Sequence, residues 1–132
     1  MVVKVIFDAN FLFVPSQFRI DVFEEVGNLL KQRFEPVILS ATLEELEKLA
    51  KKGSPKVRKQ ALLGLELAKK CRVIEAKPSM NESYDDVIVR AALDLGGIVA
   101  TNDRTLKRKL RNKGVAVIYL REKTHLELEG TV

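Results

Sequence analysis

The sequence predicts an α/β fold, a three-layer sandwich with a five-stranded, mostly parallel sheet, in a single domain over residues 1–132. Three observations predict it. Short β-branched runs alternate with longer stretches of helical periodicity, the pattern of parallel strands joined by helical crossovers. Hydrophobic residues make up 46% of the chain and charged residues 31%, enough apolar material for one buried core and too much for a disordered chain. No repeat, low-complexity stretch or long linker divides it.

Residues 2–7, Val2-Val3-Lys4-Val5-Ile6-Phe7, read as the first strand. The spacing of Val22, Val26, Leu29 and Leu30 predicts a helix over about 21–34, ended by Pro36, and Val37-Ile38-Leu39 is the second strand. Ser40 or Thr42 caps the next helix, with Thr42-Leu43-Glu44-Glu45 at capping-box spacing. Ser54-Pro55 supplies a cap and a first-turn proline for a helix running to about Lys70, buried along Ala61, Leu62, Leu65 and Ala68. Arg72-Val73-Ile74 is a short third strand, and residues 76–81 form a loop. Ser83-Tyr84-Asp85-Asp86 is a second capping box, opening a helix through Leu95 that Gly96-Gly97 ends. Residues 98–100 form the fourth strand, 103–113 a helix closed by Gly114, and 115–119 the fifth strand. The tail Glu127-Leu128-Glu129-Gly130 is expected to pack on a sheet edge or to mediate a homodimer.

No apolar run approaches the roughly 18 residues of a membrane helix. Met1-Val2-Val3-Lys4 lacks the features of a signal peptide, so the expectation is a cytoplasmic protein with no membrane partner. Cys71 is the one cysteine and cannot form an internal disulfide, which fits a reducing compartment. With His125 the one histidine, zinc sites built on Cys and His are excluded, and any metal must be held by oxygen. The 23 Lys and Arg exceed 18 Asp and Glu for a net charge of +5. Lys48, Lys51, Lys52, Lys56, Arg58 and Lys59 follow one another without an acid, and so do Arg104, Lys107, Arg108, Lys109, Arg111 and Lys113. Either block alone is what a solvated helix face looks like; two of them point to a polyanionic partner.

The acids fall at a common level. Asp8 stands just past the first strand, Glu45 early in the helix after the second, Asp85 and Asp86 at a helix start, and Asp103 two residues beyond the expected fourth strand. In a doubly wound sheet, strand ends and the following helix starts share one edge, and ligands bind there. Each acid separately is a good helix cap. Together they raise an electrostatic problem: two carboxylates about 5 Å apart repel by roughly 3 kcal/mol at an effective dielectric of 20. Several in one pocket require protons or a cation among them. Hard oxygen donors suit Mg²⁺ or Mn²⁺, whose chemistry is phosphate ester hydrolysis. Basic residues flanking such a pocket would hold the phosphates of a nucleic acid strand.

Four motifs carry a resemblance over essentially the whole chain: Phe7-Asp8-Ala9-Asn10, Leu43-Glu44-Glu45-Leu46-Glu47-Lys48-Leu49, Tyr84-Asp85-Asp86-Val87-Ile88 and Val99-Ala100-Thr101-Asn102-Asp103-Arg104. In this order they resemble the PIN-domain ribonucleases. The resemblance implies a PIN-like, Rossmannoid sheet beneath an acidic pocket, one or two Mg²⁺ or Mn²⁺ ions, and cleavage of RNA. It implies that Asp8, Glu45, Asp85 and Asp103 are catalytic and bind the metal, with Asp86 as a further ligand. Asn10 and Thr101 become supporting polar residues, and Arg104, Lys107, Arg108, Lys109, Arg111, Lys51 and Lys52 RNA-binding ones. Adjacent helical residues point about 100° apart, so only one of Glu44 and Glu45 faces the pocket, and the alignment of the motif selects Glu45.

Asn10-Phe11-Leu12-Phe13-Val14-Pro15-Ser16-Gln17-Phe18 and Val117-Ile118-Tyr119-Leu120-Arg121 look like archaeal relatives of the processome nuclease that trims precursor ribosomal RNA. The competing branch is the toxin half of toxin–antitoxin pairs, whose partner is an antitoxin protein. A third reading is an inactive RNA-binding module of the same fold, binding RNA without cation dependence. Asp8 to Gln17 contains no glycine, which removes a dinucleotide-binding turn. Asn10 stands where a phosphoaspartate phosphatase needs its second Asp, and Glu75 and Leu120 stand where a receiver domain needs Asp and Lys.

Overall fold

The computed structural model describes residues 2–132; Met1, read above as part of the amino-terminal segment, and the side chain of Ser16 lie outside the described residues. In chain order the strands are β1 (Val3–Phe7), β2 (Phe34–Leu39), β3 (Arg72–Ile74), β4 (Ile98–Ala100), β5 (Val117–Arg121) and β6 (His125–Glu129). The helices are α1 (Val14–Phe18), α2 (Val22–Leu30), α3 (Ser40–Lys52), α4 (Pro55–Ala68), α5 (Tyr84–Leu95) and α6 (Arg104–Asn112), with a 3₁₀ turn over Ala9–Phe13. The sheet order is β3-β2-β1-β4-β5-β6. The first five strands run parallel, and β6 pairs antiparallel to β5.

Alternation along the strands makes the three layers. Val5, Phe7, Ile38, Ile98, Ala100 and Ile118 face one core with Phe11, Leu12, Val22, Val26 and Leu46. Ile6, Val37, Leu39, Val99 and Val117 face the other, with Val87, Ile88, Leu106 and Leu110 from α5 and α6. Strands buried on both faces are apolar at successive positions, as parallel strands between helical layers must be.

Several expectations are corrected. The sheet has six strands, the sixth formed by the tail that was expected to pack on an edge or pair with a second copy. The first long helix ends at Leu30, where Lys31 takes a left-handed cap, so Phe34 and Pro36 belong to β2. Pro36 is tolerated because the ladder to β3 begins only at Val37, leaving its missing N–H on an unpaired stretch. Thr42 makes no capping box: α3 starts at Ser40, and Thr42 is buried inside it. Ser40 instead bonds through its Oγ to both the N–H and the carbonyl of Ala76, tying α3 to the loop after β3. Leu62 is 57% exposed, while Ala61, Gly64 and Ala68 carry the buried stripe of α4. The second capping box forms as expected, with Ser83 and Asp86 exchanging bonds. Phe11 is fully buried, and Phe13 and Phe18 pack against the same core.

Candidate functional site

The topology reverses at β1. From β1 the chain moves outward to β2 and β3, then returns through α5 to lay β4 on the opposite side of β1. The loops leaving β1 and β4 therefore flank a crevice at the carboxyl edge, where open α/β sheets bind ligands. The Asp8 amide donates to the Ala100 carbonyl at 3.0 Å, closing the base of that crevice.

Asp8 is held from two sides. Its Oδ1 accepts the Ala9 amide at 2.8 Å, and its Oδ2 accepts the Thr101 hydroxyl at 2.7 Å. Thr101 is fully buried and in turn accepts the Asp103 amide at 3.1 Å, so one hydroxyl links the acid after β1 to the acid after β4 across 93 residues. Asn10 Oδ1 accepts the Asn102 amide at 3.1 Å, a second tie between the two loops. Asn102 was not singled out from the sequence; its own Oδ1 accepts the Leu120 amide at 2.8 Å and pins the loop to β5. Its place between Thr101 and Asp103 was the available signal.

The carboxylates feel one another. Burial raises Asp8 above the ordinary carboxylate range, the Thr101 and Ala9 bonds pull it back, and Asp85 and Asp103 push it up again. Glu45 is raised by burial, then by Asp8 and Asp85. Asp85 is raised by burial and by Asp103, against the opposing pull of Lys109. Asp8, Glu45, Asp85 and Asp103 thus form one interacting set.

Of the neighbouring acids, Asp86 also pushes Asp85 up, and both Asp86 and Glu44 have other partners. Glu44 is exposed and pairs with Lys77 at 3.0 Å, one residue round the helix from Glu45. Asp86 spends Oδ2 on the Ser83 amide, which lowers its pKa, and its Oδ1 lies 3.8 Å from Lys109.

Among the described residues no three of these acids converge closely enough to ligate one ion. Asp103 turns Oδ1 into α6 as its cap, accepting from Thr105 and Leu106. The donor set nonetheless fits a hard divalent cation. It is all oxygen, Asp8, Glu45 and Asp85 are each pushed toward the protonated form by burial and by neighbouring carboxylates, and each Asp8 oxygen retains a lone pair beyond its one bond.

The basic block on α6 divides. Lys107 pairs with Glu129 of β6 at 3.3 Å and lies 3.7 Å from the Tyr119 ring centroid. Arg111 also pairs with Glu129 and donates to the Val115 carbonyl. Arg104 and Arg108 are exposed and make no ion pair among the described residues. Lys51 and Lys52 are exposed in the last turn of α3. No helix among the described residues is long and apolar enough to cross a membrane.

The model of a family described as a PIN like domain matches residues 5–123. Ribonuclease VapC4 of Methanocaldococcus jannaschii is 33% identical over 129 residues, covering 98% of each chain. The rRNA-processing protein FCF1 of Saccharomyces cerevisiae is 33% identical over 110 residues, 82% of this chain and 54% of that protein. Among solved structures, the PIN domain endonuclease Utp24 has a TM-score of 0.80 at 28% identity, covering 98% of this chain and 92% of that one.

Proposed function

The chain belongs to the PIN-like domain family, and from that premise we propose that it is a Mg²⁺- or Mn²⁺-dependent endoribonuclease that processes precursor ribosomal RNA. The observation that carries the reading is the half-buried Asp8 carboxylate, anchored by Thr101 and Ala9 and electrostatically coupled to Glu45, Asp85 and Asp103. Three acids held toward their protonated forms by burial and by neighbouring carboxylates, Asp8, Glu45 and Asp85, are a liability to a fold with no use for them.

Asp8, Glu45, Asp85 and Asp103 would hold the ion, with Asp86, whose Oδ1 is not spent on the cap, as a further ligand. When bound, a divalent cation polarises a phosphoryl oxygen and acidifies water at neutral pH. The chain's own contribution is positional. Thr101 and the Ala9 amide fix the Asp8 carboxylate, Asn10 and Asn102 hold the β1 and β4 loops in register, and exposed Arg104 and Arg108 attract RNA phosphates.

The precursor rRNA substrate is supported by the likeness to Utp24 and FCF1. A second reading, a toxin-type ribonuclease with an antitoxin protein as partner, is supported by the near full-length relative named VapC4. The test is cleavage of RNA by the purified chain with Mn²⁺ or Mg²⁺, with excess chelator, and by Asp8→Asn. Cleavage that chelator and the substitution both abolish supports the reading; cleavage indifferent to either overturns it. Sequencing RNA crosslinked to the protein in its own cells separates the two substrates.

A further inference from the structure

Beside the acids, a cleft of about 270 Å³ opens between the β4–α6 loop and the end of β5. Thr101 and Asn102 form its inner wall, and Arg104, Lys107, Tyr119 and Arg121 its outer part. Thr101, which lines this cleft, also bonds Asp8 through its hydroxyl, so one residue connects the cleft to the acid set. Three cations beside four carboxylates would be a simple counter-charge if they faced the acids, but two of the three are occupied elsewhere. Lys107 is held at 3.3 Å by Glu129 and over the Tyr119 ring, and Arg121 pairs with Glu127 at 3.1 Å. Both acids come from β6, the antiparallel strand that closes this edge of the sheet.

A carboxylate and a phosphate oxygen make the same charge-assisted bond to an ammonium or guanidinium. The cations of the cleft are thus presented with their anion-binding geometry set, in the company of displaceable partners. Lys107 is the most constrained: its side chain is only 25% exposed, and the ring face fixes the direction of the ammonium. Exposed ion pairs such as these are weak, so an incoming phosphate exchanges with Glu127 and Glu129 at little cost.

We propose that this cleft is a phosphate subsite for single-stranded RNA, taking the phosphodiester next to the one at the acids. Arg104, Lys107 and Arg121 bind it, Tyr119 is the positioning residue for Lys107, and Glu127 and Glu129 compete with the strand for the cations. The proposal rests on the ribonuclease reading for its ligand, and it assigns a role to β6 that the reading alone does not require.

The test is binding of a short fluorescein-labelled oligouridylate, followed by anisotropy across a salt series in chelator, so that no cleavage enters. Lys107→Gln is expected to raise Kd about fivefold and to reduce the salt slope by about 0.7, one single-strand phosphate contact. Tyr119→Leu should weaken binding in the same direction while Tyr119→Phe, which keeps the ring, restores it. Glu129→Gln should tighten binding about threefold. A merely structural role for Glu129 would weaken binding or leave it unchanged, so the opposite sign is the diagnostic. Circular dichroism confirms that each variant is folded, and Arg104→Gln, an exposed side chain, serves if Tyr119→Leu is not. Unchanged Kd and slope in Lys107→Gln and Arg104→Gln, or no binding by the parent chain, overturns the subsite. Cleavage with Mg²⁺ is scored separately. A parent that cleaves while these variants bind normally loses the cleft and keeps the ribonuclease, and one that binds through the cleft without cleaving does the reverse.

Discussion

Replacing Thr101 by Val removes one oxygen and preserves shape, yet it should be among the most damaging single-atom changes at this site. The hydroxyl donates to Asp8 at 2.7 Å and accepts the Asp103 amide at 3.1 Å, and the side chain is fully buried, so water cannot substitute for either bond. A hydrogen bond to an ionised carboxylate is worth about 1.5–3 kcal/mol, and an orphaned buried N–H costs about 1–3 kcal/mol. Because Asp103 can shift with its loop, the two do not add fully, and a loss of about 2–4 kcal/mol is expected. For a domain of this size that is a fall in Tm of about 6–16 °C. The loss should shrink as pH falls and Asp8 takes up a proton, because the bond then joins two neutral groups. Urea denaturation at pH 7 and pH 4, with Thr101→Ser as the control that keeps the hydroxyl, measures it. A Thr101→Val protein as stable as the parent at pH 7 would refute the assignment of Thr101 as the link between the two loops.

Three further outcomes are expected. Glu45→Gln should lower metal-supported RNA cleavage by about a hundredfold or more, and Glu44→Gln should leave it within about twofold, because only Glu45 couples to Asp8 and Asp85; equal losses in an initial-rate assay would contradict this. In chelator, Asp8→Asn should raise stability at neutral pH by about 1 kcal/mol. Burial raises the folded pKa of Asp8, so its favourable contribution is complete below the unfolded value and lost as pH rises through the folded one, and the variant's advantage should shrink toward pH 4 in thermal unfolding. Cys71 is buried with its thiol pushed up to about 12, so it should resist iodoacetamide at pH 8 until the chain is unfolded; rapid native labelling by mass spectrometry would disprove its burial.

Strong local signals in the sequence corresponded to structure. The Ser83 and Asp86 exchange, the Ser54-Pro55 start and the Gly96 left-handed cap are decided within four residues, and each forms. The sixth strand had no such signal. Its hairpin turns through Glu122 and Lys123 at φ 54° and 60°, a left-handed pair that Asn-Gly would advertise and Glu-Lys does not. The acids' common level was legible because strand ends and helix starts share an edge by topology. Their separation from the basic residues was not: whether Lys107 faces solvent or Glu129 depends on a strand pairing 22 residues away. The motif selects Glu45 over Glu44, and the structure agrees: Glu44 pairs with Lys77 while Glu45 interacts with Asp8 and Asp85.

The ties among Asp8, Asn10, Thr101 and Asn102 set when the crevice can exist during synthesis. A growing chain that has emerged only through α5 holds β1, β2 and β3 but neither the Thr101 hydroxyl nor the Asp103 amide, and β1 still lacks its β4 neighbour. Until residues 98–103 leave the ribosome, Asp8 has no hydroxyl to steady it and the acid set is incomplete. The assembled pocket belongs to a chain that has emerged beyond its fourth strand, and a shorter nascent chain is without it.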